Sequence, residues 1–386
     1  MRSEQPGLSP CSSSWQPPRI TSTPTTTPNR PAGRKTMTIS QFKTRRLIPL
    51  ATALLLALAV LAACLWFGPR PVALASQNTG DPRLATMLRE HAQKGHNELA
   101  AFGIRGNRTT FAGVGADAHT EVEIGSLTKM FTAELLRNQI AEGTVRLSTR
   151  VGEIHPLNAQ MDSVTLEELA RHRSGLPRIP QGDTLRLLTS AVTYDNPYGQ
   201  LGRDEIFREV ARAPLTGRGE EHYSNLGYAL LGQLLAEKAG MTWEELVHRD
   251  ILNPLHMRET YVATEPLRQG APRGMTTGGL QAQPWALGGI APAGGLRSTA
   301  ADMAIFARHS LELGRAAQVS EAGGDNDKPL LGWVDGGDYW WHNGGTSGYS
   351  SMLIIDPRRQ EASYVSANTS ERVEDIAAAI LGRTFK

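Results

Sequence analysis

The sequence predicts an α+β fold in which one antiparallel sheet, built from both ends of the chain and flanked by helices, encloses a large, mainly helical insert. Strand-like stretches occur before residue 124, helices and long loops dominate residues 130–310, and strands return after residue 350. The 386 residues are enough for one large folded domain with additional segments. An apolar fraction of 40% and a charged fraction of 20% are typical of a packed globular body.

Composition argues against several classes of function. The formal net charge of +2 is too small to indicate a nucleic-acid partner, and several basic residues lie before residue 50. Only Cys11 and Cys64 occur, both ahead of the folded region, so the body holds no disulfide framework and no cysteine metal site. The zinc-protease, P-loop and EF-hand patterns are absent from the sequence. We therefore expect no cofactor and no metal.

The first 43 residues are rich in Ser, Thr and Pro and have almost no apolar periodicity. Such a segment cannot bury enough apolar surface to fold, so residues 1–43 are predicted to be a disordered cytoplasmic tail. Met37 offers a second possible start of translation within it.

Residues 44–68 are predicted to form a transmembrane signal-anchor or a signal peptide. No charge interrupts Leu47 to Phe67, a run that reaches roughly the 30 Å of a bilayer core as a helix. Lys43, Arg45 and Arg46 precede it, so the positive-inside rule puts the amino terminus in the cytoplasm. The expected location is a bacterial membrane, with one span and the folded domain on the periplasmic or extracellular side.

Two other fates of this segment stay open. Leu61-Ala62-Ala63-Cys64 resembles a lipobox, with Cys64 as the lipidated residue. Cleavage after Ala75 would release the folded domain instead.

Residues 69–80 are predicted to be a linker, and residues 81–386 the folded domain. Its α/β part comprises 81–130 and 330–386, and its helical part 131–329. Expected within the α/β part are a helix from Asp81-Pro82 through Lys94, strands Leu99–Arg105 and Thr109–Val114 joined at Gly106-Asn107, an extended segment Glu121–Ile124, strands Ser351–Ile355 and Ala362–Ser366, and a last helix Val373–Leu381.

Ile124-Gly125-Ser126-Leu127-Thr128-Lys129 carries the strongest signal of chemistry. It precedes an apolar, helix-prone stretch, so Lys129 lies on the same helical face as Ser126, one turn later. A neutral Lys129 could take the proton of the Ser126 hydroxyl, provided that burial or nearby positive charge lowers the lysine pKa. Ser40-Gln41-Phe42-Lys43 has the same spacing, so the context must distinguish the two.

Tyr223-Ser224-Asn225 lies between a Gly-rich turn and an apolar helix. Tyr223 could carry the proton from the attacking hydroxyl to the leaving group, and Asn225 could bind a substrate amide. Tyr194-Asp195-Asn196 matches the same pattern, but lacks the helix behind it.

Trp341-His342-Asn343-Gly344-Gly345-Thr346-Ser347-Gly348 is a glycine-dense loop ahead of a strand. The N–H groups of Gly345 and Ser126 could together form an oxyanion hole. His342, Asn343 and Gly344 are predicted to bind substrate alongside it.

Together these three motifs resemble the serine β-lactamase and penicillin-binding-protein superfamily, in particular its class C-like branch, over roughly residues 82–384. The resemblance implies Ser126 as nucleophile, Lys129 and Tyr223 as acid and base, Asn225 as a substrate ligand and Gly345 as an oxyanion donor. Either Lys129 or Tyr223 could be the general base. His172, in Leu169–Pro177, has a structural explanation as a residue that fixes its loop.

His342 departs from the family pattern, in which many β-lactamases of this branch carry lysine. Because histidine is largely neutral at pH 7, recognition of a substrate carboxylate would be weaker unless another cation serves. The resemblance implies an acyl-enzyme hydrolase acting on D-alanyl peptides, including peptidoglycan peptides, or on β-lactams. A carboxylesterase of the same family, a membrane sensor that is acylated without turnover, and a relative without activity are the alternatives.

Overall fold

The computed structural model describes residues 40–68, 71–180, 201–264, 270–320 and 331–385, together with residues 189, 190, 193, 196 and 198. Two compact units result, residues 1–68 and residues 69–386. Residues 1–39 of the predicted disordered tail lie outside the described residues.

The described part of the first unit is one helix, α1 (Ser40–Phe67), in which the side chain of Cys64 is exposed. Nowhere in the described part of the chain is a helix both long enough and apolar enough to cross a membrane. On this finding, the predicted span at 44–68 and the membrane location deduced from it are wrong.

A seven-stranded antiparallel sheet forms the centre of the second unit, in the order β1-β3-β2-β10-β9-β8-β7. A separate sheet of three short strands has the order β4-β6-β5. The strands are β1 (Asn78–Gly80), β2 (Leu99–Arg105), β3 (Arg108–Val114), β4 (Val122–Glu123), β5 (Tyr261–Val262), β6 (Leu296–Ser298), β7 (Val334–Asp335), β8 (Trp340–Gly345), β9 (Ser350–Asp356) and β10 (Glu361–Ala367).

The two ends of the chain meet where β2 pairs with β10. Leu99 lies opposite Ala367, and Arg105 lies opposite Glu361 at the other end of the pairing. The hairpin of β2 and β3 turns at Gly106 and Asn107, as the sequence predicts. The predicted α+β fold class is thus confirmed.

Helices cover both faces of the large sheet. They are α2 (Pro82–His91), α3 (Thr128–Ala141), α4 (Val151–Ile154), α5 (Ala159–Asp162), α6 (Leu166–Ala170), α7 (Arg203–Arg212), α8 (Asn225–Ala239), α9 (Trp243–Val247), α10 (Ala291–Gly294), α11 (Ala300–Ser320) and α12 (Glu374–Ile380). On one face α2 and α12 bury a small core with Ala101, Met352 and Val365. The other face packs Phe102, Leu353 and the helical part into the main core.

The first predicted helix and the glycine-dense loop differ from the structure. Helix α2 ends at His91 instead of Lys94, after starting at the capping side chain of Asp81. His342 to Gly345 form the end of strand β8, where the sequence predicts a loop. Glycine lowers strand propensity, but pairing with β9 outweighs this preference. Residues 71–76 are also bound to the body, since the Ala75 N–H donates to the Asn97 carbonyl.

Candidate active site

Ser126 lies in a single 3-10 turn, Gly125–Leu127, that leads directly into α3. The turn is fixed to the sheet by the Ser351 hydroxyl, which donates to the Ile124 carbonyl over 3.0 Å. Because β9 holds Ser351, the large sheet determines where the Ser126 side chain stands.

Two glycines allow the backbone of this 3-10 turn to contact the backbone of strand β8. Gly125 has a φ of +52°, and a Cβ there would stand 2.7 Å from the Gly345 nitrogen. A Cβ at Gly344 would stand 1.9 Å from the Ile124 carbonyl oxygen. The backbones of Gly125 and Gly345 are therefore in contact, as an oxyanion hole made by the N–H groups of Ser126 and Gly345 requires.

Lys129 is fully buried in the first turn of α3. Its Nζ lies 3.1 Å from the Ser126 Oγ and donates to the Ala293 carbonyl over 2.6 Å. Burial, followed by the positive charge of Arg178, holds the Lys129 pKa well below its ordinary value of 10.5. The amine beside Ser126 is thereby biased towards its neutral form.

Tyr223 donates from its hydroxyl to the Ser126 Oγ over 2.8 Å. The Lys129 Nζ lies 4.9 Å from the centre of its ring. Burial raises the Tyr223 pKa to about 12, against the lowering effects of the Ser126 hydrogen bond and of Arg178. The phenol is therefore protonated at neutral pH and is placed to donate a proton.

The loop that holds Tyr223 is fixed by Ser224 and His172. The Ser224 hydroxyl caps α8 by accepting from the Gly227 N–H, and it donates to the Pro177 carbonyl. The His172 Nδ1 accepts from the Ser224 N–H over 3.0 Å, and its ring lies 4.5 Å from the Tyr223 ring. His172 thus makes a hydrogen bond of the loop-fixing kind expected of it from the sequence. Burial, then the charges of Lys129 and His342, lower the His172 pKa to about 3.

His342 lies on the Tyr223 side of the cluster, with 6.4 Å between the two ring centres. Only 4% of its surface is exposed, and its Nδ1 is 2.6 Å from the Asn343 carbonyl. Burial and then the charge of Lys129 lower its pKa to about 4, although the Asn343 contact acts in the opposite sense. His342 is consequently neutral at pH 7. It supplies no cation at a position where many class C-like β-lactamases carry lysine.

The two asparagines predicted to bind substrate face different surroundings. The Asn225 Nδ2 donates to the Tyr198 hydroxyl, and its Oδ1 is buried without a hydrogen-bond partner. Asn343 instead donates from its side chain to Glu374, at the start of α12. The structure therefore brings Asn225 to the Tyr223 loop and directs the Asn343 side chain towards α12. In the rival motif, Tyr194 and Asp195 lie outside the described residues.

A cavity of about 460 Å³ adjoins the cluster. Its lining includes His172, Tyr223, Tyr228, Trp333 and His342. The cavity therefore gives access to the Tyr223 side of the cluster, while Ser126 and Lys129 are not part of its lining. Within the described residues, no group of three or more His, Cys, Asp or Glu side chains could hold a metal ion.

Sequence reasoning missed Arg297, which is fully buried behind the site. Its guanidinium pairs with Glu121 and Glu123, and Glu123 also accepts from the Trp285 N–H. The Trp285 indole donates to the Ser347 hydroxyl, just beyond β8. The available signal was a single charged residue among the small or apolar residues 291–301.

A comparison with protein families matches residues 84–383 to the family described as Beta-lactamase. The chain is 28% identical over 188 residues to the D-alanyl-D-alanine-carboxypeptidase/endopeptidase AmpH of Escherichia coli (strain K12), covering 45% of this chain and 47% of that protein. It is 26% identical over 200 residues to Protein flp of Staphylococcus aureus (strain COL), covering 47% of this chain and 38% of that protein. The chain thus spans about half the length, or less, of these curated relatives.

Among solved structures, the octameric penicillin-binding protein homologue from Pyrococcus abyssi superimposes with a TM-score of 0.64 at 22% identity. The match covers 78% of this chain and 76% of that chain. At this identity the likeness shows the fold alone.

Proposed function

Because the chain belongs to the β-lactamase family, we propose that it is a serine hydrolase that forms an acyl-enzyme on Ser126. One observation carries this proposal: the Ser126 Oγ lies within hydrogen-bond distance of both the Lys129 amine and the Tyr223 phenol. A nucleophile, a base and an acid therefore meet at one oxygen atom.

The lowered pKa of Lys129 and the raised pKa of Tyr223 favour Lys129 as the general base. Lys129 takes the hydroxyl proton as the Ser126 Oγ bonds to the substrate carbonyl carbon. Tyr223 then protonates the leaving atom as its bond to that carbon breaks, and the Lys129 ammonium returns a proton to Tyr223. In the second half, Lys129 takes a proton from water as the water oxygen bonds to the acyl carbon. Tyr223 protonates the Ser126 Oγ as its bond to that carbon breaks, and the Lys129 ammonium returns a proton to Tyr223.

We assign the oxyanion hole to the N–H groups of Ser126 and Gly345, and we assign binding of the substrate amide to Asn225. Support comes from the close approach of the Gly125 and Gly345 backbones, and from the unpartnered Oδ1 of Asn225. Such donors stabilise the negative charge that develops on the carbonyl oxygen.

The proposed substrates are D-alanyl peptides or β-lactams, a class supported by the family and by the name of the AmpH relative. The second candidate is carboxylester hydrolysis, which the neutral His342 favours, because an ester need not carry the carboxylate that a lysine at this position would bind.

The test treats the full chain with a fluorescent penicillin and, separately, with a chromogenic ester. Ser126→Ala should abolish covalent labelling and lower ester hydrolysis by at least about 10³-fold, because the nucleophile is lost. Ser40→Ala, in the other Ser-x-x-Lys match, is the control and should leave both signals unchanged.

Three outcomes separate the functions. Labelling followed by release of the label supports the hydrolase, whereas labelling without turnover supports a sensor. Activity that survives in Ser126→Ala would contradict the proposal.

A further inference from the structure

Arg178 is an exposed residue beside the catalytic cluster, three residues after the Gly175 turn. The carbon at the centre of its guanidinium lies 5.1 Å from the centre of the Tyr223 ring. Its backbone carbonyl accepts from the Asn225 N–H over 2.9 Å. The backbone of Arg178 therefore helps to position Asn225, and the Arg178 side chain extends from this same residue.

No acidic side chain among the described residues pairs with this guanidinium. In the described part of the chain the guanidinium has neither an ion-pair partner nor a hydrogen-bond partner, and it lies over the ring of Tyr223. Two neighbouring arginines have acidic groups nearby. Arg171 forms an ion pair with Glu167, and Arg173 lines the same cavity as Glu221 and Asp335. Arg178 thus presents a positive charge at the site that no carboxylate of residues 71–180 or of the later described ranges compensates.

Its position next to Asn225 indicates which part of a substrate it would meet. The unpartnered Asn225 Oδ1 can accept an amide N–H of the acyl group, and Arg178 shares a backbone contact with Asn225. Arginine suits carboxylate recognition, because its planar fork can donate two parallel hydrogen bonds. His342 offers no competing cation.

We propose that Arg178 determines specificity by binding a carboxylate on the acyl part of the substrate, close to the amide held by Asn225. The inference rests on the proposed hydrolase function and names its substrate class: acyl donors that carry a negative charge. The guanidinium takes the recognition role that a lysine at position 342 cannot take in this chain, but on the acyl side of the reacting carbonyl.

Two 4-nitrophenyl esters test this inference on the full chain, those of N-succinyl-D-alanine and N-succinamyl-D-alanine. They share the amide N–H and differ only in a terminal carboxylate or carboxamide. The wild-type chain should prefer the succinyl ester in kcat/KM. Arg178→Gln should lower the ratio of kcat/KM for the succinyl ester to kcat/KM for the succinamyl ester by about tenfold, because any change in the Lys129 pKa affects both esters alike.

Matched variants keep the result interpretable. Arg178→Lys should retain part of the preference, and Arg146→Gln, an exposed arginine beyond the far end of α3, should change neither rate. Suppose that Ser126→Ala abolishes hydrolysis, as the proposed function requires. Equal losses for both esters in Arg178→Gln, or no loss for either ester, would then overturn the inference. Hydrolysis of both esters that persists in Ser126→Ala would instead overturn the proposed function.

Discussion

Lys129 illustrates how burial of one side chain sets its chemistry. Its amine is completely enclosed, and its closest polar partners are the Ser126 hydroxyl and the Ala293 carbonyl. Neither partner carries a negative charge, so the cost of removing an ammonium from water is not repaid. The fold therefore favours the neutral amine, which is the form able to take a proton from Ser126.

Substitution of Lys129 by Met should change how stability depends on pH. Between the lowered folded-state pKa and the ordinary value of 10.5, the unfolded wild-type chain binds a proton that the folded chain does not. Wild-type stability therefore rises with pH in this window, by about 1.4 kcal/mol per unit, whereas Met removes this contribution. Urea unfolding at several pH values should show the mutant-minus-wild-type difference falling as pH rises.

Lys238→Met, at an exposed position near the end of α8, is the control for this series. It should leave the pH dependence of the wild-type chain in place. If the Lys129→Met and wild-type curves were parallel over the window, Lys129 would not be the neutral amine that the proposed mechanism needs.

For single residues, the sequence predicted the meeting of Ser126, Lys129 and Tyr223, but not all the side chains that surround them. The spacing predicted Ser126 and Lys129 on one helical face, and the Tyr223-Ser224-Asn225 motif ahead of an apolar helix indicated Tyr223. Arg178 could not be assigned, because its place over the Tyr223 ring depends on a loop packing against a helix more than forty residues later. The orientation of Asn343 towards Glu374 is likewise set by tertiary packing.

Between elements, the decisive contact is that of the 3-10 turn with strand β8. Both backbones must approach without side chains between them, and the turn needs a positive φ at Gly125. Any atom added there would push the Gly345 backbone away from Ser126. The geometry of the proposed oxyanion hole thus depends on glycine at position 125, which has no Cβ.

Gly125→Ala should therefore lower activity more than a comparable change elsewhere. Gly143 also has a positive φ, +74°, but a Cβ there would meet nothing within 4 Å. Both alanine variants should lose about 1–2 kcal/mol of stability from backbone strain. Only Gly125→Ala should also lower kcat/KM for the chromogenic ester by about 100-fold, because the reacting groups are displaced.

Stability is measured by denaturant unfolding and activity by ester hydrolysis, on the same preparations. Equal activities for the two variants would contradict the importance of the contact between Gly125 and Gly345.

The longer elements were predictable because their apolar patterns are strong. Strand β2 was placed at its observed bounds, and β9, β10 and α12 were each placed within one residue at either end. Of the three-stranded sheet, only β4 was anticipated, within the predicted extended segment Glu121–Ile124. Strands β5 and β6 were missed because they are two or three residues long and pair with each other or with β4 across long stretches of chain. Such short segments carry too few residues to reveal a period, so only long-range pairing defines them.

Across the whole second unit, Arg297 ties together segments that are far apart in the chain. Its guanidinium bonds to Glu121, Glu123 and the Pro272 carbonyl, and it lies near the Tyr349 ring. Burial raises the Glu123 pKa, an effect that the Arg297 charge opposes. The small sheet and the segment after β8 thus share one buried charge network.

Arg297→Met should destabilise the unit by about 3–5 kcal/mol at neutral pH, because Glu123 stays buried, 4% exposed, without its main counter-charge. The loss should shrink as pH falls, since Glu123 can then be protonated and its pKa rises further without Arg297. Arg105→Gln, which breaks the pair of a 60% exposed guanidinium with Glu361, should cost at most about 1 kcal/mol. Denaturant unfolding at neutral and mildly acidic pH measures both variants, and similar losses for the two would show that the buried network is not a main tie between these segments.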